Sequence, residues 1–279
     1  MVMTICIAGI CDSGEHVVVA VDRMFTLGPP LNIEFEPPLS KIEQISPTCV
    51  ALAAGNSAFA QEIITRARAK LEKSRAIQIM EISTSVKDEY ARFRDEKVEE
   101  HVIRMNLGQD FLTFREKGGF LPGYLQQQPM IYQQILIQAN QFNLTVELII
   151  AGCDTAGSHI FYVGHPGTLF NLDKLGYNAV GTGAVHAVTS LSLGGHTPNS
   201  SLVNTLASVY TAKRAAEVAP GVGKETEVAV ISKADVWVCT SPVVKALEKA
   251  FEERMQRAAP NLDELGRVYG QQRNAAAVH

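Results

Sequence analysis

The chain has 279 residues, of which 46% are apolar and 19% charged, with 25 Lys and Arg against 29 Asp and Glu. That length suits one large domain or two small ones, and it supports a core that needs no disulfide or metal staple. A net charge of −4 leaves no basic footprint, which argues against nucleic acid or an anionic membrane surface as a partner. No apolar run reaches the ~20 residues of a membrane span.

In chain order, the apolar stretch 1–11 has no basic residue ahead of it and reads as a first strand, not a signal peptide. Residues 4–11 and 16–22 are β-branched runs on either side of Asp12-Ser13-Gly14-Glu15, a hairpin with a four-residue turn. Gly28-Pro29-Pro30 and Pro37-Pro38 make 23–39 extended and loop-like. Strands are predicted over 41–45 and 49–54. A helix follows Gly55-Asn56, with Phe59, Ile63, Ile64 and Leu71 at helical spacing. A second, charge-rich helix covers about 83–105, with Val86, Tyr90, Phe93 and Val98 on one face, the pattern of a solvated amphipathic helix. The stretch 106–128 is irregular and 130–140 helical.

Strands follow over 146–151 and 159–163, with a short one over 168–172. Gly181-Thr182-Gly183 lacks the third glycine of a dinucleotide fingerprint and the strand before it is poor, so it reads as a turn opening a helix over 184–193. A longer helix over 201–218 is stopped by Pro220-Gly221-Val222-Gly223. Strands over 227–232 and 236–240 and a helix from Pro242 to about 257 complete the pattern, and 258–279 is a polar, loose tail. Hairpins dominate this order. It predicts antiparallel sheets with helices on their outer faces, a layered α+β architecture in one domain over 1–257.

The five cysteines are scattered without C-x-x-C spacing. They read as small buried hydrophobes in a reducing, cytoplasmic setting. No phosphate-loop, H-E-x-x-H or G-x-S-x-G motif is present, the seven histidines show no ligand spacing, and no cofactor or metal is implied.

One constellation remains. Thr4 directly follows Met3 on the first strand. Were translation to start at Met3, removal of that methionine would give Thr4 a free α-amine. Such an amine has an ordinary pKa near 8, so it is a local base for its own residue's hydroxyl. A buried lysine would tune the amine, a carboxylate would hold the lysine, and a backbone N–H at a strand-to-helix turn would stabilise an oxyanion. Lys41, Asp22 and Gly55 are the candidates, in that order of roles. Taken singly, Asp22 and Lys41 also read as strand-end surface charges and Gly55 as a turn.

The segments T-I-C-I-A-G-I-C at 4–11, H-V-V-V-A-V-D-R at 16–23, K-I-E-Q-I-S-P at 41–47 and A-L-A-A-G-N-S-A at 51–58 resemble the proteasome β-type family of N-terminal-nucleophile hydrolases, with its HslV-like and Anbu-like branches. So do E-L-I-I-A-G-C-D at 147–154, A-V-G-T-G-A-V-H-A at 179–187 and E-V-A-V-I-S at 227–232. The resemblance covers most of 4–235 in family order. It implies a four-layer αββα sandwich and makes Thr4 the nucleophile, Asp22 and Lys41 its charge pair, and Gly55 the oxyanion-hole N–H. Thr182 stands where the family places a serine that helps hold the terminal amine.

Implied partners are copies of the chain in a ring-like homo-oligomer and a peptide or unfolded-protein substrate, with room for an ATP-dependent unfoldase. The departures are specific. Met1-Val2-Met3 precedes the candidate nucleophile, and an ungapped match would put Cys6 in its place. Ala219 and Val222 replace polar helpers, with Glu217 nearby as a substitute. The stretch 94–132 is a family-atypical insertion. Two alternatives follow: a non-catalytic ring subunit of the same fold, and a small-amide acylase.

Overall fold

A computed structural model describes residues 4–27, 33–37, 40–74, 78–108, 110, 129–257, 267 and 269. Within it, β1 (Ile5–Cys11) and β2 (His16–Asp22) form the predicted hairpin around a 3-10 turn at Asp12–Gly14. Thirteen of their fourteen residues are buried, which is why both runs are apolar throughout and do not alternate. β3 (Phe25–Leu27) and β4 (Ile33–Phe35) pair as a small ribbon where an unpaired loop was predicted. Each has only three residues, too short for a periodic signal. β5 (Ile42–Ser46), β6 (Cys49–Gly55), α1 (Ser57–Ser74) and α2 (Ile79–Val98) follow. α2 begins earlier than predicted, and a π-helical turn at Glu99–Ile103 with a last turn at Arg104–Leu107 extends it. Its apolar face, Val86, Tyr90, Phe93 and Val98, is buried as an amphipathic helix requires.

α3 (Pro129–Gln141), β7 (Val146–Asp154), β8 (Gly157–Gly164) and β9 (Thr168–Asn171) come next. β10 (Tyr177–Gly181) is a true edge strand, although its sequence pattern is poor. α4 (Ala184–Leu193), α5 (Leu202–Ala216), β11 (Thr226–Ile231), β12 (Val236–Val238) and α6 (Ser241–Arg257) complete the chain. The irregular reading of 106–128 falls mostly outside the described residues, as do most of the 258–279 tail and the Met1-Val2-Met3 leader.

The protein is α+β, with two five-stranded antiparallel sheets ordered β10-β1-β2-β11-β12 and β5-β6-β7-β8-β9. They stack as in a sandwich. Cys6, Ala8, Ile10, Val19 and Val21 of the first sheet share one core with Val50, Leu52, Ile149 and Ala151 of the second. The alternate residues Ile5, Ile7, Val18 and Ala20 pack against Leu191 of α4, Val209 and Ala212 of α5, and α6. On the other side, Ala51, Leu148, Ile150 and Phe161 pack against Ile63 and Ala67 of α1 and Val86 and Tyr90 of α2. A fully buried Val or Ile in these cores contributes about 1.5–3 kcal/mol.

Two polar devices pin the elements together. Asp12 Oδ1 accepts the Leu202 N–H at 3.0 Å, tying the first hairpin turn to the start of α5. His159 bridges two carboxylates, with Nδ1 2.7 Å from Asp173 Oδ2 and Nε2 3.3 Å from Asp154 Oδ1. Asp154 in turn accepts the Ile79 N–H that opens α2, at 2.9 Å.

Candidate functional site

Three of the five candidate residues touch one another. Lys41 precedes β5 and sends its ammonium to the end of the first hairpin. Nζ donates to Thr4 Oγ1 at 2.7 Å and to Asp22 Oδ1 at 3.0 Å, and also to the Met24 carbonyl. Thr4 Oγ1 donates to Asp22 Oδ1. Asp22, wholly buried, also accepts the Ile5 N–H on Oδ1 at 3.1 Å and the Gly223 N–H on Oδ2 at 2.9 Å. A buried carboxylate without partners would carry a severe desolvation cost. Here one ammonium, one hydroxyl and two amides offset it, and the Lys41 side chain is only 10% exposed.

The strand registers explain the placement. Cys6 faces Val21 across β1 and β2, so one step further brings Asp22 opposite the start of β1. Ile5 faces Gly181 on the other side. Gly181 has φ +104°, and a β-carbon there would lie 2.2 Å from the Thr4 carbonyl oxygen. Only glycine lets β10 close against Thr4.

Thr182 joins through the backbone. Its Oγ1 lies 3.4 Å from the Thr4 carbonyl oxygen and 3.3 Å from that of Pro220. Its contact with Thr4 is thus to the carbonyl, where the resemblance led to an expectation at the amine.

Gly55 makes no hydrogen bond with Thr4 or Asp22 among the described residues. It ends β6 one residue before α1, at the same end of the stacked sheets. Cys6 Sγ lies 3.4 Å from the Ala53 carbonyl, and the Gly181 N–H donates to Glu147 Oε2 at 3.3 Å. Glu147 faces Ala54 in the ladder. These two ties join the start of β1, which follows Thr4, to the end of β6, which closes on Gly55. Gly55 has φ +112°, and a β-carbon would lie 1.8 Å from the Thr145 carbonyl oxygen, so no other residue fits.

Cys6 is fully buried. Burial pushes its thiol far above the ordinary range; the Lys41 charge opposes this, while Asp22 and Glu147 reinforce it. A thiol held protonated is a poor nucleophile, which disfavours the ungapped alternative at Cys6. Glu217 does not serve Thr4. Its carboxylate takes Lys213 Nζ at 2.6 Å and Arg214 Nε at 3.4 Å. Ala219 and Val222 are buried in the apolar core beneath α4 and α5.

The sequence reading missed Lys213, Gly223 and Glu147. Lys213 is wholly buried on α5 and donates to Glu217 Oε1 and to the Lys224 carbonyl, both at 2.6 Å. Burial pushes its ammonium below the ordinary lysine range, with Glu217 and Asp22 opposing. One signal was available: Lys213 lies four residues after Val209 and three before Ala216, on the apolar stripe of the helix.

Among the described residues no group of three or more His, Cys, Asp or Glu is placed to hold a metal ion, and no helix is long and apolar enough to cross a membrane.

No family model matches the chain, and no curated protein matches it. The functional reading therefore rests on the site.

Proposed function

We propose that the protein is a threonine-type amide hydrolase of the N-terminal-nucleophile kind, with a proteasome-like αββα arrangement of its layers and with peptides or unfolded chains as substrates. The observation that carries this reading is the Lys41 ammonium 2.7 Å from Thr4 Oγ1, held there by Asp22.

The chemistry requires the bond between Met3 and Thr4 to be absent. With its α-amine free, Thr4 has a base within its own residue. The amine takes the Oγ1 proton as Oγ1 attacks the substrate carbonyl, and Lys41 stabilises the developing alkoxide while disfavouring protonation of the amine beforehand. The Gly55 N–H is the donor for the tetrahedral oxyanion. The amine then returns its proton to the leaving nitrogen, the C–N bond breaks, and an ester to Thr4 remains. Water, deprotonated by the same amine, hydrolyses that ester and regenerates the hydroxyl. Asp22 receives two amide N–H groups, a hydroxyl and an ammonium, and through them holds Lys41 beside Thr4.

A buried Asp–Lys pair is seldom a net stabiliser compared with apolar packing. Its presence against a buried hydroxyl favours a catalytic role over a purely structural one. The second reading, a non-catalytic subunit of the same fold, is favoured by Ala219 and Val222, which bring no polar group to the terminal amine. A self-assembled ring in the cytoplasm belongs to the first reading as well.

The test is the intact mass and N-terminal sequence of the natively expressed protein, paired with turnover of a fluorogenic peptide set. A chain beginning at Thr4 that hydrolyses peptides, and loses that activity in Thr4→Ala, supports the proposal. A chain that keeps Met1 or Val2 at its start and shows no turnover overturns it in favour of the non-catalytic subunit. Turnover of small amides alone would assign the site to an acylase.

A further inference from the structure

The loop between α5 and β11 approaches the site from the helix side. It runs from Glu217 to Glu225 and is anchored at its start, at its end and at two points between. At its start, the Glu217 carboxylate receives Lys213 Nζ at 2.6 Å. At its end, the Lys224 carbonyl receives the same Nζ, also at 2.6 Å. Between them, the Gly223 N–H donates to Asp22 Oδ2 at 2.9 Å, and the Pro220 carbonyl lies 3.3 Å from Thr182 Oγ1. Gly223 is tightly seated. A β-carbon there would lie 2.0 Å from Glu36 Oε1 and 2.8 Å from the β-carbon of Met24, so the amide has little freedom to sit elsewhere.

We infer that Lys213 is a positioning residue for Asp22. Its ammonium clamps both ends of the 217–225 loop, and the clamped loop delivers the Gly223 N–H to the carboxylate oxygen that Thr4 and Lys41 do not use. This inference rests on the proposed hydrolase reading for its functional consequence. A lysine with no exposed surface is costly unless its charge is satisfied. Both of its hydrogen bonds go to the loop, so it has no other evident structural duty.

The test uses the full chain and three variants: Glu217→Gln, Lys213→Met, and the double variant Lys213→Met with Glu217→Leu. The double variant replaces a buried pair by apolar groups of similar size, which is often neutral for folding, and so remains informative should Lys213→Met fail to fold. Two readouts are taken. The first is hydrogen exchange of the Gly223 amide by NMR, which reports the bond to Asp22 whether or not the protein is an enzyme. The second is the split between kcat and KM on a peptide substrate.

The expected result is Gly223 exchange faster by about tenfold or more in the double variant. kcat should fall about tenfold to a hundredfold with KM unmoved, since a small misplacement of a site residue acts on the reacting geometry. Glu217→Gln, which keeps a hydrogen-bond acceptor for Lys213, should lie between wild type and the double variant. Unchanged Gly223 exchange overturns the inference whatever the activity does. Faster exchange with unchanged kcat overturns the positioning role. A wild-type chain without any turnover sinks the hydrolase reading, and the Gly223 amide still decides whether Lys213 holds the loop.

Discussion

Lys41 Nζ and Thr4 Oγ1 stand 2.7 Å apart across a sequence separation of 37 residues. The contact joins the residue that leads into the second sheet to the residue that leads into the first, so it reports on the stacking of the sheets as much as on chemistry. Under the proposed function, Thr4→Ala reduces peptide hydrolysis to below about a thousandth of wild type, while Thr4→Ser retains measurable turnover. Removal of the hydroxyl deletes its bond to the Asp22 carboxylate and the one it accepts from Lys41, each worth about 1.5–3 kcal/mol at most, while Lys41 and Asp22 still hold each other, so urea denaturation of Thr4→Ala should still show a cooperative fold. Full turnover in Thr4→Ala would end the assignment.

Lys41→Met separates stability from catalysis. It leaves Asp22 buried without its cation, and breaking a buried pair from one side costs about 3–5 kcal/mol. The amides of Ile5 and Gly223 limit that loss, so the lower end is expected. A loss below about 0.5 kcal/mol in equilibrium unfolding would place Lys41 among exposed ion pairs and contradict its burial.

The two glycines with φ near +100° at Gly14 and Gly181 make a matched comparison. Gly14 has φ +91° with nothing within 4 Å of a β-carbon, whereas at Gly181 the Thr4 carbonyl lies in the way. Gly14→Ala should cost about 1 kcal/mol of backbone strain and no more. Gly181→Ala adds a backbone collision and should lower the melting temperature well beyond that and abolish turnover. Equal melting temperatures for the two variants would mean that β10 does not press on Thr4 as described.

A pH dependence attaches to His159. The hydrogen bond to Asp173 raises its pKa above the ordinary 6.5, against burial, and Asp154 adds to the rise. The folded state thus holds the proton more tightly than the unfolded chain. This contribution is complete below about pH 6.5 and is lost as pH climbs through the raised folded value. Asp154 and Asp173 are shifted down despite burial, Asp154 chiefly by the Ile79 and Ala156 amides and Asp173 chiefly by His159. Their contribution is complete above the ordinary 3.8 and is lost on acidification. His159→Gln should flatten the decline in unfolding free energy above pH 6.5. A decline unchanged in that variant would assign it to another group.

Much of this was legible in the chain. β1, β2, β6 and β7 are buried on both faces along most of their length, so each wrote itself as a largely apolar run with ends correct to within a few residues. β10 hid because Tyr177, Asn178, Ala179 and Val180 are few, lie between two glycines and form a sheet edge. β3 and β4 hid because three-residue strands have no period to detect. Within the site, Thr4, Asp22 and Lys41 were visible from their order and strand ends. Lys213 was not, because a lysine on a helix is ordinarily solvated; its place on the apolar stripe of α5 was the one cue, and the packing of that helix against β1 and β2 puts it in the dark. Gly223 escaped for a different reason: its part is played by an amide, and every residue but proline has one.

The alternation along β1 has a consequence for descent. Cys6, Ala8 and Ile10 address the second sheet, while Ile5 and Ile7 address the helices. A lineage that gained one residue inside this strand would turn every side chain before it to the wrong audience and offer Ile5 where Thr4 belongs. A change of length at the bend between the strands, where Gly14 has open space around it, would instead leave Thr4 and the facing of β1 as they are.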